Sequence, residues 1–145
     1  MLTDRAPSST LDVKIPADPK YVGRLRKRIE AFAAKHRLDP GETREFITAI
    51  GEAVANAIEH SQAESIEVSC WLDGNRKLLA TVSDAGRGFV RIPEGIELPP
   101  PQAERGRGLP IMRRYCDLFR IRSAPGKGTT VFLGRILRRP GGKAD

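Results

Sequence analysis

Long apolar runs are missing from this chain. None of its 145 residues falls in a stretch near the roughly 20 apolar residues that a membrane-spanning helix needs. The first ten residues also lack the pattern of a secretory signal. The expectation is a cytoplasmic protein with no membrane partner. Cysteine is sparse: Cys70 and Cys116 stand alone, too few for a disulfide framework and without metal-ligand spacing, so both read as buried thiols. Aromatic residues make up only 6%; with no zinc spacing and no nucleic-acid module, direct nucleic-acid binding is not expected. Negative charge is in deficit, 18 acidic against 25 basic residues for a net charge of +7. Much of the excess lies in two blocks, Arg24 to Arg28 and Arg135 to Lys143. Both read as solvated or protein-binding faces suited to an acidic partner.

What is present is ordinary for a globular domain: 39% hydrophobic and 30% charged residues, in a length that supports one domain with a proper core. Residues 1–10 read as a disordered leader, 11–138 as the domain and 139–145 as a basic, mobile tail. Leu11, Val13 and Ile15 alternate with polar residues and predict a strand ending at Pro16. Asp18-Pro19 predicts a helix start, with Tyr21, Val22, Leu25, Ile29, Phe32 and Ala33 as its buried face. Asp39-Pro-Gly-Glu42 repeats that signal. The period then switches to two for a hairpin: Ile66, Val68, Cys70 and Leu72, a turn at Asp73 to Asn75, then Leu78, Ala80 and Val82. A Pro-rich loop from Val90 to Arg105 precedes a short helix, Leu109 to Tyr115. A final hairpin pairs Phe119 to Ser123 with Thr129 to Ile136. Such segregation predicts an α+β two-layer sandwich, helices on one face of a mixed, mostly antiparallel sheet.

The second helix organises the rest. From Glu45 to His60, Phe46, Ile47, Ile50, Ala53, Val54, Ala57 and Ile58 share one broad face. Glu45, Thr48, Glu52, Asn56 and Glu59 lie opposite. Glu52 and Asn56 are four residues apart, one turn above the other, so a carboxylate and a carboxamide can reach one metal ion, water or phosphate together. A solvated polar stripe would look the same; Asn, a poor helix former, adds nothing to such a stripe that Gln would not add better.

Two glycine-rich segments follow. Asp84-Ala-Gly86-Arg-Gly88 begins where the second strand stops. Its glycines permit positive φ and a close flat ligand, and the carboxylate can accept from an exocyclic amine such as that of adenine; a plain Asp-Gly turn is the simpler alternative. Gly106-Arg107-Gly108-Leu109 opens the short helix, where exposed N–H groups and the positive end of the helix dipole favour phosphate. Arg107 would add a cation over the same oxygens. The loop between them has the length of a lid.

Taken in order, Glu52-x-x-x-Asn56, Asp84-x-Gly86-x-Gly88, Gly106-x-Gly108-Leu109 and Gly128-Thr129 resemble the four-part signature of the GHKL nucleotide-binding fold. Within it the chain is most similar to the bacterial anti-sigma-factor serine/threonine kinases, from about Leu11 to Leu137. The similarity is strongest at Gly51 to His60, Arg105 to Met112 and Gly126 to Leu133. The resemblance implies ATP and Mg2+ as cofactors, with Asn56 on the metal and Glu52 as the base toward a serine or threonine hydroxyl. It also implies Asp84, Gly86, Gly88 and Thr129 around adenine, and Gly106, Arg107, Gly108 and Leu109 at the phosphates. Implied partners are a sigma factor, an anti-sigma-factor antagonist of the STAS type and a second copy of the chain. A non-catalytic ATP/ADP-dependent binding switch is the alternative, and Glu52 favours the kinase because a pure binder needs no base. His36 and His60 lie near helix ends, where a cation would stabilise the dipole. Neither sits in a phosphoacceptor context.

Overall fold

The computed structural model describes residues 10–74, 76–84, 108–124 and 128–138. The elements run β1 (Thr10–Pro16), α1 (Val22–Lys35), α2 (Pro40–His60), β2 (Ser65–Asp73), β3 (Lys77–Asp84), α3 (Gly108–Tyr115), β4 (Leu118–Ala124) and β5 (Gly128–Ile136). Strand β1 takes in Thr10, one residue inside the expected leader. Residues 1–9, the expected lid at 90–105 and the tail at 139–145 lie outside the described residues.

Alternation of β-branched and apolar residues with polar ones builds the strands, and their inward set becomes the sheet's buried face. The order is β1-β2-β3-β5-β4, and every pairing is antiparallel. The expected mixed character is therefore absent among the described residues, for a topological reason. Strands β3 and β4 run in the same direction, but β5 inserts between them and pairs with both. Gly74 turns the β2–β3 hairpin at φ 71°, a conformation that costs glycine nothing.

Of the two expected helix starts, the one at Asp39 forms as its cap predicts and the one at Asp18 is displaced to Val22. Asp18 Oδ1 accepts from Lys20 N at 3.0 Å, but it caps a single 3-10 turn, Pro19–Tyr21, ahead of α1. Asp39 Oδ2 accepts from Glu42 N at 2.9 Å, with Pro40 in the first turn of the 21-residue α2. Helix α2 lies between α1 and α3 and packs on β2, β3 and β5, while α1 packs on β1. Phe46, Ala49, Ile50, Ala53 and Val54 of α2 are at most 1% exposed, against Ile66, Val68, Cys70, Ala80, Val82 and Leu133 of the sheet. Each large apolar side chain so buried contributes roughly 1.5–3 kcal/mol. No described helix is long and apolar enough to cross a membrane. The opposite face of the sheet carries no helix among the described residues; Trp71 and Phe132 meet there at 6.3 Å between ring centroids.

Candidate functional site

Helix α2 runs from one end of the sheet to the other. Its first turn meets Arg135 near the end of β5, at 3.2 Å from Arg135 Nε to Glu42 Oε1. Its last turn leads by residues 61–64 into β2, whose Ile66 pairs with Asp84. From Glu42 to Asn56 the helix rises about 21 Å, and from Arg135 back to Thr129 the strand spans about 20 Å. The lengths match. The last turn of α2 thus leads toward the end of the sheet where Thr129 is the direct register partner of Asp84 and, on its other side, of Ser123.

Asp84 is half-buried at the end of β3. Thr129 is 6% exposed, and its hydroxyl lies 3.1 Å from that of buried Ser123, which leaves it further hydrogen-bonding capacity. Glu52 and Asn56 are both half-buried and make no hydrogen bond or ion pair with another described residue. Helix α3, opened by Gly108, packs against α2 with Met112 1% exposed. Gly86, Gly88, Gly106 and Arg107 lie outside the described residues, and for Leu109 only the backbone, within the first turn of α3, is described. No group of three His, Cys, Asp or Glu side chains among the described residues could cage a metal. A magnesium ion held by one amide oxygen and nucleotide phosphates needs no such cage.

The other end of α2 holds what the sequence reading missed. Arg135, expected to begin a solvated basic block, has a side chain only 12% exposed. It bonds Glu42, Glu45 at 2.7 Å and the Tyr115 carbonyl at 3.1 Å. Glu42 Oε2 also accepts from Arg138 N at 2.8 Å. Burial opposes the charge on Arg135, but its hydrogen bonds to Glu45 and Glu42 outweigh that and raise its pKa further. The signal was available: Arg135 is in phase with Val131 and Leu133, so alternation sends it to the buried face.

A model of the histidine kinase-like ATPase domain matches residues 15–134. The chain belongs to that family. It is 34% identical over 124 residues to an anti-sigma F factor of Pasteuria penetrans, covering 78% of this chain and 81% of that protein. It is 32% identical over 123 residues to the anti-sigma F factor of Bacillus subtilis, covering 79% and 83%. Among solved structures it resembles the RsbU and RsbW domains of Rv1364c from Mycobacterium tuberculosis, at TM-score 0.70 and 26% identity. There it covers 94% of its own length and 34% of that longer chain. The histidine kinase-like ATPase family and the anti-sigma F factor relatives agree with the resemblance that the four-part motif carries.

Within this family the two histidines differ from each other. His60, in the last turn of α2, lies 3.8 Å from Glu59. His36, the C-cap of α1, was expected to be a dipole-stabilising cation, and its surroundings disfavour that charge. Its ring packs on Phe32 at 4.7 Å and its Nε2 is shut from solvent with no hydrogen-bond partner among the described residues. Burial first, and Lys35 second, lower its pKa below the usual 6.5. Both cysteines are free. Cys70 is buried and Cys116 half-buried, and burial pushes each thiol up to about 12.

Proposed function

We propose that this protein is an ATP-dependent serine/threonine kinase that also acts as an anti-sigma factor, with a STAS-type antagonist as its phosphoacceptor. One observation carries the reading. Two half-buried polar side chains of α2, Glu52 and Asn56, have no partner among the described residues, and the end of α2 toward which they lie leads into β2, whose Ile66 pairs with Asp84. Half-buried groups of this kind keep hydrogen-bonding capacity that a ligand can use.

Asp84 would accept from the exocyclic amine of adenine, with Thr129 beside it and Gly86 and Gly88 admitting the ring. Asn56 would hold Mg2+ through its side-chain oxygen, the ion supplying charge neutralisation at the phosphates. Gly106, Arg107, Gly108 and Leu109 would bring N–H donors and a cation to those oxygens. Glu52, one turn from Asn56, would take the proton of the incoming hydroxyl as its oxygen bonds to the γ-phosphorus and the bond to the β-phosphate oxygen breaks, releasing ADP. Such a transfer depends mainly on positioning and charge, which these groups can provide. The relatives named as anti-sigma F factors support a sigma factor as binding partner, and the exposed Arg24, Lys27 and Arg28 of α1 suit an acidic surface. A homodimer would use the sheet edge or α1.

The test is to mix the protein with labelled ATP, magnesium and a STAS-type antagonist. Label should move to a serine or threonine of the antagonist, and Glu52→Ala should slow that transfer about a hundredfold while ATP still binds. Bound ATP with no transfer to any antagonist would establish the non-catalytic switch instead.

A further inference from the structure

The proposed nucleotide site lies toward one end of α2, yet the densest set of polar contacts lies at the other. There Arg135 of β5 joins two segments that are distant from it in sequence: the start of α2, through Glu42 and Glu45, and the end of α3, through the Tyr115 carbonyl. Two more bonds fix the chain just after α3 to the same strand. Asp117 N donates to Gly134 O at 2.7 Å, and Ile136 N donates to Asp117 Oδ2 at 2.7 Å. The last turn of α3 is therefore held from both sides.

We propose that Arg135 is a positioning residue for the N-terminus of α3, setting from the far end of that helix where Gly108 lies along α2. The proposal rests on the reading of that N-terminus as a phosphate site. Helix α3 has eight residues and is about 12 Å long. With Tyr115 held at the Arg135 anchor and the helix packed on α2, Gly108 lies one helix length away on the same partner helix. A hydrogen-bonded helix this short moves as one piece, so a slip at Tyr115 appears undiminished at Gly108. Arg suits the role because its planar fork serves both carboxylates and a carbonyl at once, as a lysine ammonium on a flexible stem does not. It also places a cation at the C-terminal end of α3, where the helix dipole favours one.

An ion pair that only stabilised the fold would affect all ligands alike. A positioning role separates phosphate from base. Calorimetry with Mg·ATP and NMR titration with adenosine should be run on the wild type, Arg135→Gln and Arg135→Lys. Arg135→Gln should weaken ATP about tenfold and leave adenosine within about twofold, with Arg135→Lys in between. Equal losses for both ligands, or no loss for ATP, would overturn the proposal. Should Arg135→Gln not fold, Glu45→Gln removes one charge at a partner 45% exposed. It should weaken ATP about threefold with adenosine unchanged, and an unaltered ATP affinity there would overturn the proposal. A wild type that ignores ATP takes down the kinase reading and this proposal together; a wild type that binds ATP beside unaffected variants takes down this proposal alone.

Discussion

The polar side chains of α2 are treated in opposite ways toward the two ends of the sheet it covers. At the end where Leu78 pairs with Arg135, charges are satisfied inside the protein. Glu42 is bonded by Arg135 and Arg138 N, and Glu45 by Arg135. Toward the end where Asp84 pairs with Thr129, the α2 side chains Glu52 and Asn56 have no partner among the described residues. One helix supplies both sets. A charge closed on an internal partner contributes rigidity and costs heavily to remove. A half-buried polar group without such a partner keeps its hydrogen-bonding capacity for a ligand. The difference teaches that α2 divides its length between holding the fold and facing the chemistry.

Breaking the closed end should have the largest effect on stability. Glu42→Ala leaves Arg135 with Glu45 as its one carboxylate partner and Arg138 N without its acceptor, and should cost about 1.5–3 kcal/mol, read from the shift of a urea unfolding midpoint. A cost below about 1 kcal/mol would mean that the network is solvated and the contrast false. At the open end the order reverses. Asn56→Ala should lower Mg·ATP affinity about a hundredfold, some 2.7 kcal/mol, in calorimetry, while stability changes by less than about 1 kcal/mol. Thr129→Val keeps the shape and removes a hydroxyl 3.1 Å from Ser123. It should cost about 1 kcal/mol of stability and weaken adenosine and ATP equally, because it touches the base and not the phosphates.

The smallest effect belongs to His36, at neither end. Its folded pKa lies below the usual 6.5, so between the two values the unfolded chain binds a proton that the folded chain does not. Stability is then fully present above pH 6.5 and is lost as pH falls through that value toward the folded pKa. Urea midpoints at pH 7.5 and 5.5 should show this fall, and His36→Gln should reduce it. An undiminished fall in His36→Gln would assign it to other groups.

Much of the fold was legible because its signals are local. Asp39 with Pro40 announces the start of α2, and the period-two runs from Ile66 and Leu78 announce their strands. Asp18 misled slightly, since the same cap chemistry serves a 3-10 turn as well as an α-helix. The mixed sheet was a misjudgement of pairing: periodicity tells which residues face inward but not which strand lies beside which. Arg135 was misjudged because it sits next to a basic tail, and composition there outweighed the phase of the strand. His36 was misjudged because a position at a helix end says nothing about whether the ring is solvated or lies on Phe32.

By itself, the sequence determined the elements, their inward faces and the candidate residues Glu52, Asn56, Asp84 and Thr129, because helix and strand periods are properties of a few consecutive residues. Only the tertiary structure decided that β5 runs between β3 and β4, that Thr129 stands opposite Asp84, and that Arg135 joins α2 to α3. Those facts depend on contacts between residues up to 93 positions apart, which are chosen when the helices and the sheet close on a common core.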